Sequence, residues 1–215
     1  MTHPLWTDEY WPLILQLYMQ KPVGVKPLYS RSTVSLALEL HIPPTDIFQL
    51  MFQLRQPATP TLRHLVDTLG SKPNRLAKTC QTIRQMRGLG SAGSLFEGVE
   101  MKETFERDWR PVGSYTDVTP VMLTMILDLY FRLIPATMVP YTPEVKELAR
   151  TIKLSPEEVV EILEVFTYCD PYITHTDTLF DPILPECMAV WQRYVNDSDP
   201  MLLTNTAAQL KAYWE

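Results

Sequence analysis

The stretch Leu13–Leu54, LILQLYMQKPVGVKPLYSRSTVSLALELHIPPTDIFQLMFQL, decides the fold, because the chain carries its pattern twice. Shifted by 112 positions it lies without a gap over Met125–Phe166, MILDLYFRLIPATMVPYTPEVKELARTIKLSPEEVVEILEVF. Ile14, Leu15, Leu17 and Tyr18 fall on Ile126, Leu127, Leu129 and Tyr130, Leu36-Ala37 on Leu148-Ala149, and Pro44 on Pro156. The other apolar positions keep their character, as in Leu40/Ile152, Ile42/Leu154, Ile47/Val159 and Met51/Leu163. A period this long exceeds a solenoid unit and suits a small domain present in two copies.

Each copy reads as three helices. The first is expected to open on a threonine, Thr7 or Thr119, whose oxygen can accept from the free N–H groups of the first turn. Its apolar residues at 13, 14, 17 and 18, or 125, 126, 129 and 130, make a helical stripe. Proline near Lys21-Pro22 and Leu133–Pro135 ends it. Ser30 and Thr142 are the next candidate caps, with the second helices over 31–41 and 143–153 and Leu36, Ala37, Leu40, Leu148, Ala149 and Ile152 facing inward. The third helices span 44–55 and 156–167, and Ser155 with Glu158 forms a capping box at the start of the latter.

A short helix, a tight turn holding an Ile or Leu, and another helix are the pattern of a helix-turn-helix. The stretch Glu147–Leu163, ELARTIKLSPEEVVEIL, resembles the helix-turn-helix of bacterial winged-helix regulators. The resemblance covers about twenty residues of each copy and lies in the hydrophobic pattern. It implies a regulator-like unit in a bacterial cytoplasm.

Beyond the third helix the copies diverge. Leu62–Leu69 and Ser71–Met86 read as two further helices, the second capped by Ser71. The later copy has Tyr172–Phe180, which alternates well enough for a short β-hairpin wing, then a helix over Ile183–Val195 and a closing helix near Pro200–Trp214. Four of the seven glycines fall between Gly88 and Gly98, marking a boundary. The expected organisation is a basic repeat over 1–90, a connector with an amphipathic helix over 91–116 (Ser94 with Glu97 at its start, Val99, Phe105 and Trp109 burying), and an acidic repeat over 117–215. The fold class is all-α, with the hairpin wing as its one optional β element.

The composition narrows the function classes. With 46% hydrophobic and 20% charged residues in 215, the chain can bury a core. No apolar run reaches the ~18 residues of a membrane span, and Met1–Pro4 shows no leader pattern, so neither a membrane partner nor a signal peptide is expected. Cys80, Cys169 and Cys187 are odd in number and form no CxxC, which fits free thiols in a reducing cytoplasm. The net charge of −6 hides an asymmetry: residues 1–96 carry ten Lys/Arg against five Asp/Glu, and residues 97–215 nine against twenty. The copies share a skeleton but not a surface.

A DNA-reading third helix offers Arg, Lys, Asn or Gln to base edges. Here the second copy offers Glu157, Glu158, Glu161 and Glu164, which phosphates repel, so these four are assigned to protein binding. The first copy offers Thr45, Asp46, Gln49 and Phe52, with one acid and no base. The candidate surface for nucleic acid or an acidic partner lies downstream in 55–90, through Arg63, Lys72, Arg75, Lys78, Arg84 and Arg87.

Catalytic signals are poor. The four histidines are scattered, Gly88–Gly93 follows a helix rather than a strand, and Asp170, His175, Asp177 and Asp181 read as turn residues rather than ligands. No catalytic residue, metal or cofactor is expected. The leading expectation is a non-enzymatic adaptor or regulatory subunit with a protein partner. The alternative is a DNA-binding transcription regulator using the basic copy, and the third an enzyme whose site does not show in the sequence.

Overall fold

The computed structural model describes residues 3–87, 89, 105–112, 117–177, 179–196 and 200–215. Among them the regular structure is helical, with no strand. The described residues divide into two compact units, one up to residue 89 and one over 105–214.

The first unit is built around α1 (Trp11–Met19), with α2 (Arg31–Leu40), α3 (Pro44–Arg55), α4 (Pro60–Leu69) and α5 (Pro73–Arg87). Leu13, Ile14, Leu15 and Leu17 point to different sides of α1, yet none is more than 3% exposed. A helix apolar all round must be covered all round. α3, α4 and α5 pack against it, and α2 packs on α3.

The second unit is built around α6 (Pro120–Arg132), where every residue from Leu123 to Tyr130 is buried. Around it lie α7 (Pro143–Ile152), α8 (Pro156–Cys169), α9 (Leu184–Trp191) and α10 (Pro200–Leu210). α9 continues through a π-helical turn, Gln192–Asn196, and a 3₁₀ turn, Lys211–Tyr213, closes the chain. A further 3₁₀ turn, Phe105–Trp109, packs on α6. Arg193 grips both oxygens of Asp108 at 2.9 and 3.0 Å, Arg107 pairs with Glu186, and the Trp109 and Tyr213 rings meet with centroids 4.7 Å apart.

The turns that join α2 to α3 and α7 to α8 share their backbone features. Both second helices end in a left-handed residue, His41 at φ 56° and Lys153 at φ 63°. In both, the next N–H returns to the carbonyl five residues back, Ile42 to Ala37 and Leu154 to Ala149, each at 3.1 Å. This is the Schellman ending, built here without its usual glycine. Leu36, Ala37, Leu40, Leu148, Ala149 and Ile152 are all buried. Pro44 and Pro156 start the following helices at the position that suits their fixed φ.

Several local expectations need correction. No hairpin wing forms among the described residues of 172–180. That segment folds back on the end of α8 instead: the His175 ring stacks on Tyr168 at 3.7 Å and its Nε2 meets the Thr167 carbonyl at 3.0 Å. Neither Thr7 nor Thr119 caps with its side chain. Thr142 does not cap either, because its hydroxyl donates to the Thr137 carbonyl at 2.6 Å. Ser30 does cap, accepting from the Thr33 N–H at 3.3 Å. α5 starts at Pro73, so Lys72 rather than Ser71 precedes its first turn. The start of the connector helix expected from Ser94 and Glu97 lies outside the described residues; its Phe105 and Trp109 are half-buried in a 3₁₀ turn, where Glu106 is the buried residue.

Ala37 and Ala149 are 0% and 1% exposed, so a carboxylate placed there loses its hydration within the core. Ala37→Glu and Ala149→Glu are each expected to cost about 3 to 5 kcal/mol. Chemical denaturation checks this; an unchanged midpoint shows those positions to be open to solvent.

Candidate interaction surfaces

α5 is seated by its inner side and by its C-terminal end. Leu76 and Cys80 are buried, and the Cys80 thiol donates to the Pro12 carbonyl of α1 at 3.3 Å. Arg84 Nε and Nη2 donate to the two oxygens of Glu39 on α2, and Nη1 reaches Gln16 Oε1 on α1 at 3.3 Å. This two-pronged pairing matches the planar guanidinium fork. It also raises the Arg84 pKa, chiefly through the Glu39 hydrogen bond. Arg87 pairs with Glu9, and Arg63 Nε donates to the Pro57 carbonyl at 2.9 Å.

Of the six basic residues named from the sequence, Arg84 and Arg87 are therefore bound to carboxylates of their own unit. Lys72, Arg75 and Lys78 are exposed, and among the described residues their side chains meet no bonded partner. These three gather at the start of α5, while the paired arginines hold its far end.

The acidic residues divide in the same way. Glu157, Glu161 and Glu164 lie exposed on α8. Glu158 closes the capping box: its Oε2 accepts from the Ser155 N–H and hydroxyl, both at 2.7 Å, while its own N–H donates to Ser155 Oγ at 3.1 Å. Those bonds hold the Glu158 carboxyl below the usual range, the backbone N–H contributing most.

The acidic residues after α8 are each occupied separately. Asp170 accepts from Tyr130 Oη and from the Tyr172 N–H, both at 2.9 Å. Asp177 accepts from Tyr168 Oη at 3.3 Å, and Asp181 accepts from the Ile183 N–H at 2.9 Å. Among the described residues no group of three or more His, Cys, Asp or Glu converges to hold a metal. No helix there is long and apolar enough to cross a membrane.

Exposed apolar side chains are distributed unequally. Tyr172 and Phe180 are 95% and 93% exposed, and Phe131, Ile134, Tyr141 and Met188 also stand open in the second unit. On α5 the exposed large apolar residue is Met86, near the end held by Arg84 and Arg87.

Sequence reading missed Asp128. It is buried on α6 and pairs with Arg132 at 3.1 Å. On one side lies a polar cleft with Glu144, Glu147, Thr151 and Lys211. On the other lies an apolar cavity of about 390 Å³ lined by Phe131, Tyr194, Val195 and Leu203. The available signal was one acid within the apolar run Val121–Phe131.

Comparison with known protein families, with curated proteins and with solved structures finds no match for this chain.

Burial raises the Cys80 thiol from its ordinary 9.0 to about 11 and Cys169 likewise to about 11; it raises Cys187 and Tyr130 as well. Each group stays protonated in the folded chain after its unfolded counterpart has ionised. For Cys80 and Cys169, stability from this source is complete below about pH 9 and is lost as pH rises toward about 11, at no more than about 1.4 kcal/mol per pH step of one for each thiol. Denaturant unfolding on either side of about pH 9 checks the sign; stability that rises into the alkaline range contradicts it.

Proposed function

We propose that the chain is a non-enzymatic adaptor in which two copies of one helix-turn-helix-like unit present different surfaces to different partners. The observation that carries the reading is the pairing of matched frames with unmatched exteriors. In support of common descent, α2 and α7 begin at 31 and 143 and end at 40 and 152, and α3 and α8 begin at 44 and 156. The left-handed residues fall at 41 and 153, in the same offset.

The exteriors support a division of roles. α3 exposes Phe52 and Gln53 where α8 exposes Glu164 and buries Val165. The second unit combines the α8 carboxylates with open aromatic side chains at Tyr172 and Phe180. Exposed aromatics of this kind are the anchors around which protein interfaces concentrate binding energy. The proposed partner of this unit is therefore a protein with apolar and basic groups on its contact face. The first unit, with its basic α5, serves a separate partner.

The experiment is affinity capture from cell extract by the full chain and by a Tyr172→Ser, Phe180→Ser double variant. Both side chains are almost fully exposed, so the variant is expected to keep its helical content and melting temperature. A protein captured by the parent chain and lost with the variant is the expected result. Equal capture by both, or capture by neither, overturns the assignment of this surface.

A further inference from the structure

The outer face of α5 is uniform in chemistry. Asn74, Lys78, Gln81 and Gln85 recur at the spacing of one helical stripe, with Arg75 beside them. All five are exposed, and among the described residues their side chains meet no bonded partner. α5 contains no acidic residue. Its packing on α1 uses the opposite side of the helix, where Leu76 and Cys80 are buried, and Arg84 reaches Glu39 from the flank.

We propose that this face of α5, rather than α3, lies in the major groove of duplex DNA. Three features favour DNA over an acidic protein. The stripe itself has no aromatic or branched aliphatic anchor of the kind protein interfaces use, and the large apolar side chain open on α5, Met86, stands at its C-terminal end. Asn, Gln, Arg and Lys are the side chains that pair with base edges, and Lys72, Arg75 and Lys78 can meet phosphates. The stripe runs about 16 Å along the helix, and the major groove of B-DNA admits an α-helix whereas the deep, narrow groove of A-form RNA does not. α3 exposes Gln49 and Gln53 but lacks the basic residues: Asp46 is its one charge before Arg55, and Ile47, Leu50, Met51 and Leu54 bind it into the core. The inference rests on that part of the adaptor reading which assigns the first unit a partner of its own.

The test is fluorescence anisotropy of a labelled random-sequence DNA duplex of about 20 base pairs with the full chain, at about 50 and about 200 mM salt. Three phosphate contacts predict an affinity loss of about forty-fold between the two. Arg75→Glu with Lys78→Glu is expected to weaken low-salt binding at least about tenfold, because it removes two contacts and adds repulsion. Circular dichroism confirms that the variant, altered at exposed positions, still folds. No binding at low salt, or binding unchanged by the double reversal, overturns the proposal. Equal or tighter binding of poly-glutamate overturns it in favour of an acidic protein, and equal binding of an RNA duplex overturns the major-groove assignment. Capture through Tyr172 and Phe180 is read in a separate assay, so either reading can fail alone.

Discussion

A helix that is apolar on every side must be covered on every side, and both units depend on that constraint. α1 buries Leu13, Ile14, Leu15 and Leu17, and α6 buries everything from Leu123 to Tyr130. Each fully buried aliphatic side chain contributes roughly 1.5 to 3 kcal/mol, so leaving any face of such a helix open is costly on the scale of a domain's whole stability. The surrounding helices are amphipathic pieces recruited to that task. Their outward faces are what remains for function.

The constraint separates α3 from α5. α3 is held by a tight turn on one side and by buried residues along its length, and its few polar positions carry little charge. α5 is held on its inner side by Leu76 and Cys80 and at its end by two arginine pairs. A broad stripe is left outside. In the second unit α8 is packed more deeply, with Val160 and Val165 buried, and the α8 surface that remains is anionic. The helix faces left outside thus differ in sign, basic on α5 and anionic on α8.

Much of this was legible in the sequence where local chemistry decides the outcome. The helix pairs, their proline starts and the Ser155–Glu158 box follow from spacing and capping within a few residues. The left-handed endings at His41 and Lys153 were not, because neither position carries the glycine that usually marks such an ending. Tyr172–Phe180 alternates like a strand, but among the described residues there is no strand for it to pair with and the Tyr168–His175 stack prevails. The partners of Arg84 and Arg87 lie 45 and 78 residues away in the chain, beyond any local pattern. A basic run therefore looked uniform although only its first half is open.

If one kind of frame carries two separate surfaces, a ligand of one must leave the other untouched. Hydrogen-exchange mass spectrometry on the full chain, with and without duplex DNA, reads both surfaces in one experiment. Slowed exchange over 72–87 with no change over 156–169 is the predicted result. Slowing over α8, or over α3 while α5 is unaffected, contradicts it.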